Sequence, residues 1–372
     1  MPLSVDERTR YQRHLALSEI GAAGQEKLKA ARVLVVGAGG LGSPAALYLA
    51  AAGCGTLGLL DCDRVELSNL QRQVLFDTAA VAQPKALAGR ERLSALNPDI
   101  RIIAHDVELK AANVRSLLSG YDVVLDGSDR LATRYLLNDA CVLAGLPLVS
   151  AAIHRFEGQL FTYRPGGPCY RCIFPEAPDG LVANCAEAGV LGVLPGVLGT
   201  LQATEAIKLI TGVGATLTGR LLLYDALDMR FGELRTRRRS DCPVCGANPT
   251  IREPKDIQAM PSDSSQGVRR LSAADLNELL HGGAKPLLVD VREDEEFAAG
   301  HLPGSLHIPL GELPARLAEI PKGAAPVFIC RSGGRSLNAC LLALRADIAS
   351  PANLEGGLRA WAASIDPSLT VI

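Results

Sequence analysis

The sequence predicts an α/β protein: a Rossmann-like, doubly wound sheet followed by a smaller α/β domain. Three observations carry this. Short β-branched or Leu-rich runs alternate with helix-length segments up to about residue 225. A glycine turn, Gly37-Ala-Gly39-Gly40-Leu-Gly42, directly follows the first of those runs. A polar stretch from residue 252 breaks the pattern, after which strand and helix signals begin again.

In chain order, the strand-like runs are Arg32–Val36, 57–61, 101–103, Val123–Asp126 and 147–150, with Leu131–Ala144 the clearest helix between them. Their alternation predicts a parallel sheet with helices on both faces. A second apolar helix is expected at 197–211 and a strand at 221–225. Residues 252–267 (REPKDIQAMPSDSSQG) lose apolar content and gain Pro, Ser, Asp and Gln, which predicts a linker. The expected organisation is a first domain over 1–251, this linker, and a second domain over 268–372. The second domain opens at Ser272-x-x-Asp275, a capping-box-like helix start. A strand at 287–290, a turn at His301-Leu-Pro-Gly304, a strand at Val327–Ile329 and a helix from Arg335 follow.

Composition narrows the function. Of 372 residues, 48% are apolar but only 4% aromatic, so Leu, Val, Ile and Ala must build the core. A formal charge of −2 and a single basic run at 235–239, read as a solvated strand end, give no nucleic-acid footprint. No basic-then-apolar leader and no apolar run of about 18 residues occur, so neither secretion nor a membrane span is expected. The expected location is the cytosol. In that reducing compartment the ten cysteines point to metal binding or catalysis rather than disulfides.

Gly37, Gly39, Gly40 and Gly42 lie between a strand and a helix, where the backbone approaches phosphate closely and a helix N-terminus offers amide donors. Asp61 closes the next strand, where an acid binds ribose hydroxyls. On these residues alone an NAD-dependent oxidoreductase is the favoured reading. A P-loop NTPase is excluded, because no G-x-x-x-x-G-K-[ST] occurs. The run from Asp61 to Gln73 (DCDRVELSNLQRQ) shifts the balance, adding Ser68, Asn69 and Arg72, with Lys85 downstream. That density of polar and cationic groups suits a triphosphate, whose departing pyrophosphate must be neutralised while a carboxylate attacks the α-phosphorus. Asp126-Gly-Ser128-Asp129 ends another strand at the same edge, where a carboxylate can hold Mg2+. Singly, Arg72 or Lys85 reads as a surface residue; jointly placed at strand ends, they argue for a site.

The cysteines sort by surroundings. Cys169-Tyr-Arg-Cys172 and Cys242-Pro-Val-Cys245 are two C-x-x-C knuckles about seventy residues apart. Together they supply the four thiolates of a closed, structural Zn2+ site. A redox C-x-x-C is instead expected once, at a helix start. Cys54, Cys62, Cys141 and Cys340 are assigned to packing, and on composition alone Cys185 is a buried, inert cysteine. Cys330 ends the strand Val327–Ile329 and opens Cys330-Arg331-Ser332-Gly333-Gly334-Arg335-Ser336 ahead of a helix. Glycines that turn amides inward, a helix N-terminus and two arginines form an anion cradle that favours a thiolate. A tyrosine-phosphatase loop shares that logic and competes here. The Asp290-Val-Arg292 strand end and the Gly300-to-Gly304 turn are similar to rhodaneses, which carry a cysteine persulfide.

The motifs GAGGLG, DCDRVELSNLQRQ, QPKA around Lys85, DGSD, GPCYRC, NCAEAGV and CPVC resemble the ThiF/MoeB family, relatives of the ubiquitin-activating enzymes. The match is to the form fused to a C-terminal rhodanese domain, over essentially the whole chain. The resemblance implies that Gly40, Asp61, Ser68, Asn69, Arg72, Lys85, Ser128 and Asp129 contact ATP or its Mg2+. It implies a homodimer in which Arg13, in Arg10-Tyr11-Gln12-Arg13, reaches the partner subunit's ATP. It also makes Cys185, in Ala183-Asn-Cys-Ala-Glu187, a loop cysteine that attacks the acyl-adenylate or forms a transient acyl link. One position departs from the pattern: Arg130 stands where the family often has Asn. The implied reaction adenylates the C-terminal glycine of a ubiquitin-like sulfur carrier (MoaD/ThiS-like). A persulfide on Cys330, loaded from thiosulfate or a cysteine desulfurase, then converts it to a thiocarboxylate. That product would feed molybdopterin, thiamine, cysteine or tRNA thiolation pathways. The rivals are an NAD-dependent oxidoreductase and a non-catalytic carrier-docking protein.

Overall fold

The computed structural model describes residues 2–175, 189–256, 268–282, 286–321 and 323–371. The chain divides into two compact units near residue 257.

In the first unit, β1 Arg32–Val36, β2 Thr56–Leu60, β3 Arg101–His105, β4 Val123–Asp126, β5 Leu148–His154, β6 Glu157–Tyr163, β7 Arg220–Asp225 and β8 Arg230–Arg235 build one eight-stranded sheet. Its order is β3-β2-β1-β4-β5-β6-β7-β8. From β3 to β5 neighbouring strands are parallel, while β6, β7 and β8 join antiparallel. The expected parallel sheet is thus present over β3 to β5 and extended by three antiparallel strands. Residues without a turn signature make the two reversals: Arg155 (φ 52°) follows β5 and Met229 (φ 52°) precedes β8, where a glycine or asparagine would ordinarily mark the turn.

Pleating alone sorts the core. Val33 and Val35 of β1 enter one apolar cluster, Leu34 and Val36 the other, so both faces of the central strand are buried. Helices Gly42–Ala51 and Leu194–Thr211 pack against each other and contribute Leu49, Leu194 and Leu198 to the first cluster. Helix Leu131–Ala144 contributes Tyr135, Leu136 and Leu137 to the second. Helix Leu194–Thr211 starts three residues before the expected 197, because Pro195 sits in its first turn, where its missing N–H costs nothing. Part of the expected linker belongs to this unit. Pro254 is buried, and Asp256 Oδ1 accepts a 2.7 Å hydrogen bond from the Ala111 amide that opens helix Ala111–Leu118. Residues 257–267 lie outside the described residues.

The second unit holds a fully parallel five-stranded sheet in the order β11-β10-β12-β13-β9. Its strands are β9 Arg269–Leu271, β10 Leu288–Asp290, β11 Leu306–His307, β12 Val327–Ile329 and β13 Ala352–Leu354. Ser272 caps helix Ala273–His281 through the Asp275 amide, completing the box read in the sequence. One face buries Leu276, Leu354 and Trp361, the other Val289, Phe328 and Ile348.

Candidate nucleotide, metal and sulfur-transfer sites

The strand order of the first sheet reverses between β1 and β4, and a crevice at such a switch point is where open α/β sheets bind ligands. The ends of β2, β1 and β4 stand side by side there. The glycines that fit them together are Gly37, Gly42 and Gly127. Gly37 has φ 88°, and a Cβ on Gly42 would lie 1.8 Å from the Gly37 carbonyl oxygen. A Cβ on Gly37 would meet the Gly127 backbone at 2.9 Å. Asp61 at the end of β2 is tied to the turn, its Oδ2 accepting from the Ala38 amide (2.8 Å) and its Oδ1 from the Asp63 amide (2.8 Å). Burial raises the Asp61 carboxyl's pKa above its ordinary value, opposed first by the charge of Lys85.

The cationic segment folds back toward the same turn. Asn69 is buried and accepts from the Glu66 amide (3.3 Å); Ser68 donates to Glu66 Oε2 (3.2 Å). Arg72 donates to the Ser68 carbonyl (3.1 Å), and its Cγ is 3.6 Å from where a Gly40 Cβ would stand. Lys85 is buried at the head of helix Lys85–Leu96, and its Nζ pairs with Asp63 Oδ2 at 3.3 Å. Pro195 lies 3.1 Å from that same Gly40 position, so the head of helix Leu194–Thr211 also borders the turn.

The acids of Asp126-Gly-Ser128-Asp129 divide their labour. Asp126 is fully buried, accepting from Ser128 (Oγ 2.6 Å), Ser150 (Oγ 2.7 Å) and Arg134 (Nε 3.1 Å). Asp129 is exposed at the edge. Arg134 escaped the sequence reading. It is buried and also donates to the Ala151 carbonyl (3.0 Å), joining β4, the turn and β5. The available signal was an arginine inside the otherwise apolar helix five residues after Asp129. Arg130 pairs with Glu108 at 3.4 Å on the surface. Arg13 is exposed on the short helix Gln12–Leu15. Its neighbour His14 lines a groove with Tyr48, Ala51 and Thr204, at the end of helix Gly42–Ala51 remote from the glycine turn. Cys185 lies outside the described residues.

The two C-x-x-C knuckles converge. Cys169, Cys172, Cys242 and Cys245 are buried, with all four sulfurs within 4.8 Å of one another. The separations Cys169–Cys172, Cys169–Cys242 and Cys172–Cys245 are 4.0, 3.7 and 3.3 Å. Tetrahedral zinc with Zn–S bonds near 2.3 Å requires sulfurs about 3.8 Å apart, so this donor set fits Zn2+ with no position left open. The Arg239 amide donates to Cys172 Sγ (3.4 Å), as outer-shell donors to a metal-bound thiolate do. One detail departs from the expectation of two loop knuckles, since Cys169 is the N-cap of a one-turn helix, Tyr170–Ile173. Of the cysteines assigned to packing, Cys54, Cys141 and Cys340 are buried, but Cys62 is exposed beside Asp61. It stands two residues past Leu60, the last of β2, where the chain has left the sheet.

In the second unit Cys330 follows β12 and is fully buried. Its Sγ accepts from the Gly333 amide (3.1 Å) and the Ser336 hydroxyl (3.2 Å), and Gly333 makes the turn at φ 96° ahead of helix Gly334–Arg345. Arg335, read in the sequence as a charge for the sulfur, has a carboxylate partner of its own. It is buried in a bidentate pair with Glu296 (2.6 and 2.7 Å), which bolts helix Asp294–Ala299 to the loop. Burial lowers the pKa of Arg331, and after it the nearby charge of Arg359 does so too. A second glycine pair supports the cradle, signalled only by the doublet before the last helix. The Leu358 amide donates to the Cys330 carbonyl (2.8 Å) and the Arg359 amide to the Arg331 carbonyl (3.0 Å). A Cβ on Gly357 would stand 2.3 Å from the Cys330 oxygen. Gly357→Ala is therefore expected to displace the Cys330 loop and lower cyanide-accepting sulfurtransferase rates at least tenfold, with pyrophosphate exchange unchanged.

The Glu296 carboxyl has an acid-side consequence. Burial acts to raise its pKa, but the hydrogen bonds and charge of Arg335 outweigh that and hold it below the ordinary value. A depressed folded pKa gives stability that is present above the unfolded value and lost as pH falls through the folded one. Sulfurtransferase rates should thus begin to fall only below the ordinary glutamate value, about pH 4.3, and be lost as pH drops through the lower folded one. Glu296→Gln should remove that acidic limb in a pH–rate profile.

A strand-end crevice, a four-cysteine cluster in the same unit and a buried cysteine loop after β12 define the class: a nucleotide-binding α/β protein joined to a persulfide-type cysteine loop. The chain belongs to the ThiF family, whose profile matches residues 11–244, and a rhodanese-like domain matches residues 272–364. It is 46% identical over 400 residues to the adenylyltransferase and sulfurtransferase MOCS3 of Mus musculus, covering 98% of this chain and 87% of that one. To the probable adenylyltransferase/sulfurtransferase MoeZ of Mycobacterium tuberculosis it is 41% identical, covering 99% and 96%. Among solved structures, E. coli MccB with ATP superposes with a TM-score of 0.57 at 24% identity, over 65% of this chain and 75% of that one, a likeness of fold. Family membership removes the ground for a dinucleotide-dependent oxidoreductase and for a tyrosine-phosphatase loop. No described helix is long and apolar enough to cross a membrane.

Proposed function

We propose that this chain adenylates the C-terminal glycine of a ubiquitin-like sulfur-carrier protein and then replaces AMP with sulfur carried on Cys330. The domain over 1–251 performs the first reaction and that over 268–372 the second. In the first, the carrier carboxylate attacks the α-phosphorus of ATP, forming acyl-AMP and releasing pyrophosphate. Gly37 to Gly42 receive the phosphates, Asp61 the ribose, and Ser68, Asn69, Arg72 and Lys85 neutralise the departing pyrophosphate. Asp129, with Ser128 beside it, would hold Mg2+, which when bound spreads the phosphate charge. Arg13 completes the partner subunit's site in a homodimer.

In the second reaction the terminal sulfur of a Cys330 persulfide attacks the acyl carbon and AMP leaves. Cleavage of the resulting acyl disulfide by a thiol, that of Cys185, releases the thiocarboxylate and leaves a disulfide for an external dithiol to reduce. The Gly333 amide and the Ser336 hydroxyl stabilise negative sulfur. The single observation that carries the reading is one chain holding both an exposed carboxylate at a nucleotide crevice and a cysteine sulfur ringed by donors. The relatives named for both activities support it.

Mass spectrometry of candidate carriers incubated with the chain, magnesium-ATP and either thiosulfate or a cysteine desulfurase tests it. The thiocarboxylate mass shift is expected. Its absence with every carrier, despite bound ATP, would favour a carrier-docking protein without catalysis. The cytosol is the compartment proposed for this chemistry, since the reaction requires reduced thiols.

A further inference from the structure

Arg331 directly follows Cys330 and is half-buried, its Nε shut off from solvent without a hydrogen-bond partner. Arg359 is brought beside it from the last helix, Gly357–Ser364. The Arg359 amide donates to the Arg331 carbonyl (3.0 Å), a register that Gly356 and Gly357 permit with φ of 72° and 59°. Arg359 itself is exposed. Its charge is near enough to lower the pKa of Arg331 further than burial alone does. Among the described residues no carboxylate pairs with either guanidinium. The acids of this region are engaged elsewhere, Glu296 with Arg335 (2.6 Å) and Glu355 with Arg270 (3.2 Å). Two like charges side by side repel, and a buried donor with its hydrogen bond unmade costs stability. An anion held between the two arginines relieves both, at the loop whose sulfur already accepts from Gly333 and Ser336.

We infer that Arg359, with Arg331, sets the donor specificity of the Cys330 loop by taking the sulfonate end of a small anionic donor of the thiosulfate class. This rests on the persulfide reading of Cys330 and names the donor that loads it. The Cys330 thiolate attacks the outer sulfur of thiosulfate and forms a new S–S bond. The bond between the outer sulfur and the sulfonate sulfur breaks, and sulfite leaves with its electron pair. Thiolate and thiosulfate dianion thus become persulfide anion and sulfite dianion, so the step balances with no further oxidant or reductant. An anionic nucleophile meets a dianion here, and paired guanidiniums offset that repulsion. A persulfide borne by a cysteine desulfurase carries no sulfonate and makes no such demand.

The test is steady-state sulfur transfer from thiosulfate to cyanide by the full chain, comparing wild type with Arg359→Ala, Arg359→Glu and Arg359→Lys. Transfer runs through the loaded cysteine, so kcat/KM for thiosulfate reports loading and kcat/KM for cyanide reports unloading. Loss of a charge-assisted contact predicts kcat/KM for thiosulfate lowered about tenfold to a hundredfold in Arg359→Ala. It should fall further in Arg359→Glu and recover in part in Arg359→Lys, while kcat/KM for cyanide stays at the wild-type value in all three. Loading of Cys330 by a cysteine desulfurase with cysteine, read by mass spectrometry as one added sulfur, is expected to be equal in every chain. Equal losses with thiosulfate, cyanide and the desulfurase would mean a merely structural role and would overturn the inference. Wild-type thiosulfate kinetics in Arg359→Ala and Arg359→Glu would do the same. A wild-type chain loaded by the desulfurase but not by thiosulfate would overturn the inference and leave the persulfide reading standing. One that takes sulfur from neither donor would remove that reading, and the role of Arg359 with it.

Discussion

Asp129→Ala should abolish carrier-dependent exchange of pyrophosphate into ATP, while Cys330→Ala exchanges at the wild-type rate and forms no thiocarboxylate. The asymmetry follows from where the two side chains stand. Asp129 is exposed at the carboxyl edge of the first sheet, so truncating it removes no packing and is expected to shift stability by less than about 0.5 kcal/mol. What it removes is a carboxylate at the place where phosphate charge develops, and losing one such electrostatic group typically costs about a hundredfold to a thousandfold in rate. Buried Asp126 cannot substitute, since its oxygens already hold Ser128, Ser150 and Arg134. Cys330 is also buried, but its partners, Gly333 and Ser336, belong to its own unit. Alanine there deletes the one sulfur able to carry a persulfide at that loop, so the second reaction loses its nucleophile outright. A Cys330→Ala chain that had lost exchange as well would refute the division of labour between the two units.

How far the sequence could be read depended on whether a feature is local. The glycine turn, Asp61 and Cys330 were legible because each sits next to a strand end whose apolar run announces itself. The convergence of the four thiols was legible because C-x-x-C spacing is a local geometry repeated twice. The hairpins were not, because Arg155 and Met229 adopt left-handed backbone with no glycine to mark them, and β8 is exposed along its whole length. Strand β9 opens on two exposed arginines and β11 has only two residues, so neither shows the apolar run that announced β10 and β12. Side-chain pairing across the fold was equally hidden. The partner of Arg335, Glu296, stands 39 residues upstream, where no spacing in the sequence announces it. Arg134 gives no sign in the sequence of the Asp126 carboxylate and Ala151 carbonyl that close around it.

Cys242→Ser is expected to lower the bound zinc well below one per chain and to weaken nucleotide binding, although no cysteine of the cluster touches the crevice. The path is short and physical. Between the first pair of thiols stand Tyr170 and Arg171, and both insert into helix Leu131–Ala144. Arg171 makes a bidentate pair with Asp139 (2.8 and 2.8 Å) and lies 4.7 Å over the Tyr135 ring. The Tyr170 amide donates to Asn138 (2.7 Å), and its ring receives the Arg134 guanidinium at 5.9 Å. Arg134 in turn grips Asp126, two residues before Ser128 and three before Asp129. Structural zinc sites contribute apparent binding free energies of about 10–16 kcal/mol. Without the metal, the knuckle that braces this helix is held only by its side-chain contacts. Metal analysis of the purified chain, together with calorimetry of ATP binding before and after removal of zinc by a chelator, measures both effects. Should the zinc-free chain unfold at the same temperature and bind ATP as tightly as the loaded one, the cluster would be an attachment with no bearing on the crevice.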